Sequence, residues 1–181
     1  MGKAPLVAVI RGDGVGGEVT DATLAVVAAA LNQAGAPDVR CDDITAGAAL
    51  FAETGLDIEA DGETRAGAAD AIFLGAIGLP SVRHEDGTEI SPHLRIRDRF
   101  QLYAGVRPVR AYPNAPQRLA DERAAGLNLV IIRESTEGLF YTAAVHDRSP
   151  LEGEPAAPDA VSDIMRITGT TTRKLHDFAF R

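Results

Sequence analysis

Two rhythms of apolar and polar positions run along the chain. Residues 6–10, LVAVI, form an unbroken apolar run rich in β-branched side chains and short enough to be a buried strand. A glycine turn follows at 11–17. From 18 to 31 the apolar positions Val19, Leu24, Val26, Val27 and Leu31 keep a helical pattern, which Gly35-Ala36-Pro37 ends. Residues 45–54 read as helix or irregular chain, and 57–67 as a second short helix. The run DAIFLGAI at 70–77 predicts a second buried strand, and a polar loop, 78–89, leaves its end. Residues 94–102 read as helix until Gly105 breaks the pattern, and 106–109 reads as extended, because a residue before proline is pushed out of the α region. A short helix at 119–125 stops at Gly126, and a third apolar strand occupies 127–132. Residues 150–158, rich in Pro, Glu and Ala, read as an excursion. The helical pattern of 162–181 is weakened in its middle by Gly169 and Thr170-Thr171-Thr172. Strand and helix alternate without an internal repeat, which points to an α/β fold.

Composition narrows the classes. At 181 residues, 45% hydrophobic and 24% charged, the chain reads as an ordinary globular protein of one large domain or parts of two. Its net charge of -8 argues against non-specific nucleic-acid binding, which needs a basic face. Cys41 is the sole cysteine, so neither an intrachain disulfide nor a cysteine zinc cluster is available. No apolar run is long enough to span a membrane. The opening MGKAPLVAVIRGD passes directly into a strand, without the layout of a signal peptide. The expectation is a cytoplasmic protein.

Two stretches carry candidate chemistry. Residues 94–112 hold Arg95, Arg97, Arg99, Arg107 and Arg110. Arg107, on stiff extended backbone, suits a carboxylate or phosphate gripped by two parallel hydrogen bonds. The plainer reading is a solvated run paired with Asp98 or Glu89. The second stretch is the first turn. Gly12, Gly14 and Gly17 match the dinucleotide fingerprint G-x-G-x-x-G after a strand, with Asp42 or Asp43 near the ribose position. A classical dinucleotide-binding domain is one reading of it, and a tight turn needing positive φ is the other.

Four motifs stand in order: GDGVGGEV at 12–19, FLGAIGLP at 73–80, LRIRDRFQLYAGVRPVR at 94–110 and IIRESTEGLF at 131–140. Together they resemble the metal-dependent β-decarboxylating dehydrogenases, the isocitrate/isopropylmalate family with its tartrate and D-malate members. The resemblance covers nearly the whole chain. It implies an isopropylmalate-dehydrogenase-like fold, incomplete here, with two subdomains and not a classical Rossmann domain. Residues 1–99 would be the first segment of the larger nucleotide-side domain, and 100–181 an incomplete second domain for dimerisation and substrate. It also implies NAD or NADP, Mg2+ or Mn2+, a malate-like 2-hydroxy dicarboxylate as substrate, and a homodimer in the full-length form.

Carried over by position, Arg97, Arg107 and Arg133 match the arginines that hold the substrate carboxylates. Several fixed guanidiniums can neutralise and orient a dianion, whereas one cannot. Glu89 matches the acid beside the nicotinamide, and the loop from Gly78 borders that ring. Ser91 and His93 fall where the family lines the pocket for the variable group, and their polarity argues mildly against an isopropyl substituent. His93 as an ordinary surface histidine stays open. Phe140 stands where the family has a proton-donating tyrosine. Tyr141 is adjacent, but on a strand it would face the other way. Gly17 replaces the usual proline of the first turn. The family's metal-binding aspartates, base lysine and adenine loop lie beyond the point matching Arg181, and the lysines present, Lys3 and Lys174, do not match that base. The expectation is therefore a chain inactive by itself. The other function class is a non-catalytic anion-binding or assembly module.

Overall fold

The structure, a computed structural model, describes residues 4–116, 118–141 and 164–181. They form two compact units, Met1–Ile96 and Arg97–Arg181.

The first unit is built on β1 (Leu6–Gly12), whose Ala8, Val9 and Ile10 are wholly buried. Parallel strands β2 (Arg40–Ile44) and β3 (Ala71–Ala76) flank it in the order β2-β1-β3, and Val9 pairs with both Asp43 and Phe73. A central strand covered on both faces reads as a continuous apolar run, as LVAVI does. β2, sequence RCDDI, has no such run and stayed invisible in the pattern. The 70–77 strand exists, but as a partly exposed edge of this sheet and not a buried strand, with Leu74 39% exposed.

Helix α1 (Gly16–Ala34) begins two residues before the expected start. A Cβ on Gly16 or on Gly75 would fall 2.2 Å from the Arg11 carbonyl oxygen, so helix and sheet approach closely only because both are glycine. That approach selects the buried stripe. Thr20 is fully buried and Leu24, Val27 and Leu31 half-buried, while Val19 and Val26 of the expected apolar set face outward. α2 (Ala48–Thr54) and α3 (Gly62–Ala68) are each shorter than the stretches read as helix. Helix α4 (Pro92–Arg99) follows the polar loop, with Ile96 buried.

The second unit contains an antiparallel ribbon of β4 (Ala104–Arg110) and β5 (Asn128–Glu134). A 3-10 turn, Glu122–Gly126, precedes β5 and is shorter than the helix expected from 119. β5 is apolar yet exposed, Val130 by 55% and Ile131 by 53%. Helix α5 (Gly169–Ala179) starts where the pattern looked weakest. Thr168 caps it, accepting at its hydroxyl from the Thr171 N–H, so the threonine run is a helix start and not a flaw in a helix from 162. Ahead of it, Arg166 bridges to Gly138. The excursion expected at 150–158 lies outside the described residues.

Candidate functional site

The ribbon of the second unit decides where its arginines go. In the β4–β5 register Arg107 lies opposite Ile131 and Gly105 opposite Arg133. Side chains alternate between faces, so Arg107 and Arg133 share one face as diagonal neighbours, about 7–8 Å apart at the backbone and within reach of long side chains. Gly105 has no side chain to screen Arg133, and a Cβ there would meet the Ser135 hydroxyl oxygen at 2.7 Å. Arg110, three residues on, faces the other way, over the Tyr112 ring at 5.8 Å.

Arg97, in the last turn of α4, completes the group. Burial, then the charges of Arg133 and Arg107, hold its guanidinium below the usual arginine range. It stays charged at neutral pH, since arginine is not deprotonated in proteins. None of the three has an acidic partner in ion-pair range among the described residues. Arg133 instead lies over the Phe140 ring, 5.4 Å from its centroid. Phe140 and Tyr141 open a helical turn, which corrects the strand expected for them: Tyr141 is turned aside as one helical step, and the Arg166 guanidinium sits 4.1 Å over its ring.

The remaining expected residues belong to the first unit. Gly78 (φ 123), Leu79, Pro80, Val82 and Glu89 line a hollow of about 180 Å³ at the carboxyl end of β3. Glu89 accepts from Arg83 at 3.2 Å, so the pairing with the 94–110 arginines is not formed. Ser91 and His93, both half-buried, sit at the start of α4, and the Ser91 carbonyl accepts from Leu94 N–H at 3.0 Å. Arg95 leaves the candidate set: it is clamped by Asp57 at 2.7 and 2.9 Å and by Glu63 at 2.5 Å.

The glycine turn resolves against the fingerprint. Gly12 and Gly14 have the positive φ of a tight turn, while Gly17 lies inside α1. The turn's own Asp13, 6% exposed, accepts from the N–H groups of Ala48 (2.7 Å), Ala49 (2.9 Å) and Gly78 (3.0 Å). Asp42 is engaged by Arg65, and Asp43 by Arg11 at 2.9 Å, so neither acid is open to a ribose. Asp13 went unnoticed in the sequence because its partners are backbone groups far along the chain. Glu137, 8% exposed and bonded to Thr168 and Thr171, went unnoticed too. The one signal for it was the Thr168-x-x-Thr171 helix start.

The family model for isocitrate/isopropylmalate dehydrogenase matches residues 6–181. The chain belongs to this family. A 3-isopropylmalate dehydrogenase of Heyndrickxia coagulans is 32% identical over 96% of the chain, and one of Bifidobacterium longum 35% identical over 84%. Among solved structures, the TT0538 protein of Thermus thermophilus superposes with a TM-score of 0.74 at 30% identity, over 98% of this chain and 32% of that one. An isocitrate dehydrogenase from Methylococcus capsulatus, at 24% identity and a TM-score of 0.72, supports the fold. The chain spans under half of these relatives, 47% and 43% of the two isopropylmalate dehydrogenases. Membership of the isocitrate/isopropylmalate dehydrogenase family makes the fold isopropylmalate-dehydrogenase-like and sets the classical dinucleotide-binding reading aside. Among the described residues no helix is long and apolar enough to cross a membrane.

Proposed function

We propose that the chain carries the carboxylate grip of a cytoplasmic, homodimeric β-decarboxylating dehydrogenase that oxidises a malate-like 2-hydroxy dicarboxylate. The observation that supports this reading is the trio Arg97, Arg107 and Arg133, mutually repelling and without an acidic partner among the described residues. Like charges left facing one another raise the energy of the free protein, and a dianion is what relieves them. Paired hydrogen bonds to each carboxylate would orient the acid as well as hold it.

In this reading Ser91 and His93 border the substrate's variable group. The hollow at Gly78 and Glu89, apolar-walled with one carboxylate, fits a flat cationic ring, and these residues would hold the nicotinamide end of NAD or NADP. That cofactor would take the hydride from the hydroxyl-bearing carbon. A divalent ion, Mg2+ or Mn2+, fits less well. Among the described residues no three His, Cys, Asp or Glu side chains are grouped to hold one. Phe140 has no proton to give, so in this chain the family's tyrosine role passes to another group or goes unfilled. We expect binding without turnover from these 181 residues.

Calorimetric titration of the chain with malate at low salt tests the grip. Saturable heat that weakens with salt, and vanishes when Arg107 and Arg133 are both replaced by Gln, supports it. Absence of binding at millimolar malate, or binding indifferent to the double replacement, overturns it. Absorbance of reduced nicotinamide, with malate, Mn2+ and either cofactor, decides the question of turnover.

A further inference from the structure

Glu137 is a buried acid of the second unit, held by three hydrogen bonds, and has no part in the anion grip. The Thr168 N–H (2.7 Å) and the hydroxyls of Thr168 (2.8 Å) and Thr171 (3.0 Å) donate to its carboxylate. Thr168 is the cap of α5 and Thr171 lies in its first turn, where N–H groups lack intrahelical acceptors and the helix dipole favours negative charge. On one side of it Glu134 accepts from the Thr136 N–H and hydroxyl at 2.8 and 2.7 Å and from the Glu137 N–H at 2.6 Å. On the other, Gly138 (φ 67) donates to the Arg166 carbonyl at 2.7 Å. Ser135, Thr136 and Glu137 are all buried. The turn between β5 and Phe140 is thus tied at Thr136, Glu137 and Gly138, and Phe140 N–H closes it by donating to the Glu137 carbonyl at 3.3 Å.

What this turn aims is the Phe140 ring, which lies against the Arg133 guanidinium. An arginine with no acidic partner keeps several rotamers open, and ordering it costs entropy. A ring packed on one face of the planar guanidinium removes part of that freedom before any ligand arrives. The donor set also explains the choice of acid. One N–H and two hydroxyls donate to the Glu137 carboxylate, and an amide, with a single acceptor oxygen, could not accept from all of them as the carboxylate does.

We propose that Glu137 is a positioning residue for Arg133: by latching residues 135–138 to the start of α5 it holds Phe140 against the guanidinium and so aims Arg133 into the anion grip. This rests on the reading of Arg133 given under the proposed function. The two are separable, because the position of the guanidinium is measurable without a ligand.

The measurement is the Arg133 Nε–H resonance of the ¹⁵N-labelled, ligand-free chain, which the ring current of Phe140 displaces. Phe140→Leu identifies that displacement. Glu137→Gln is expected to abolish most of it, to leave the Arg107 Nε–H resonance in place, and to weaken malate binding several-fold. A folded Glu137→Gln chain whose Arg133 resonance does not move overturns the proposal and leaves Glu137 a structural stitch. Should Glu137→Gln fail to fold, Thr171→Val removes only one of the donors. It is expected to reduce the displacement part-way, and no change there overturns the proposal equally. If malate binds neither form, the anion grip fails while the latch is still judged on the resonance.

Discussion

Two sets of arginines, one in each unit, are used in opposite ways. In the first, three guanidiniums are satisfied by acids: Arg65 by Asp42 and Glu59, with the Asp43 carbonyl, Arg95 by Asp57 and Glu63, and Arg11 by Asp21 and Asp43. The Asp57 carboxylate first, then Glu63, lifts Arg95 above the usual arginine range, burial working the other way. In the second, burial and neighbouring arginines lower Arg97, and Arg107 and Arg133 likewise have no acid among the described residues. The first pattern joins segments distant in sequence. The second leaves repulsion that no acid among the described residues neutralises and that a bound anion would. The presence or absence of an acidic partner among the described residues therefore separates the two sets.

The comparison breaks most visibly at Arg95. Asp57 and Glu63 keep only 19% and 16% of their side chains exposed, so Arg95→Met removes the guanidinium that both carboxylates share. The expected loss is roughly 2–3 kcal/mol, below that of a fully buried pair because Arg95 itself is partly solvated. Denaturant titration measures it. Arg107→Met should cost little by the same measure. Equal losses would erase the distinction between the two sets.

Binding sharpens the contrast from the other side. Arg107→Lys keeps the charge but loses the two-pronged geometry, and malate affinity should fall about tenfold, roughly 1.4 kcal/mol. In a version that turns over, kcat/KM should fall alike. Arg110→Lys, on the opposite face of the ribbon, should be near neutral. Titration calorimetry on the two variants decides, and similar losses would remove the reason for singling out Arg107.

How much of this was legible beforehand depends on where each residue's partners lie. LVAVI announced β1 because a strand buried on both faces needs no alternation, whereas RCDDI hid β2, whose place comes from pairing with β1. The arginine motifs were visible, but their convergence was not. It follows from the parity of Arg107 and Arg133 in a register that only the folded ribbon fixes. Tyr141 was misjudged because a strand was assumed where the chain turns helical. Asp13 and Glu137 were silent for a common reason. Each acid sits in a turn of small polar residues and bonds to groups 31 to 65 positions away, which no local pattern encodes.

Glu137 provides a smaller effect with a definite sign. Burial raises its pKa, but the Thr168 N–H, the two threonine hydroxyls and the charge of Arg166 outweigh it, and the net direction is down. A carboxyl whose folded value is depressed contributes stability that is fully present above the unfolded value, about 4.3, and is lost as pH falls through the folded value. The chain should therefore lose stability below pH about 4.3 more steeply than Glu137→Gln, whose amide does not titrate. Melting temperatures of the two forms across that acid window should converge. Parallel curves would mean that the latch carries no net preference for the charged form.

The smallest expected effect is the most direct trace of the stored repulsion. Removing one positive charge from a ligand-free cluster should relieve the others, so Arg107→Gln should melt slightly above the parent chain at low ionic strength. The gain is small because Arg107 is exposed and water already screens much of its field. Salt provides the control. At about 1 M the screening length falls to roughly 3 Å, shorter than the spacing of the guanidiniums, and the difference should vanish. Malate should act in the opposite sense, raising the melting temperature of the parent by binding its folded form and doing little for Arg107→Gln. A variant that melts below the parent at low salt would mean that Arg107 is held by attraction, and the contrast between the two units would then fail at its weakest point.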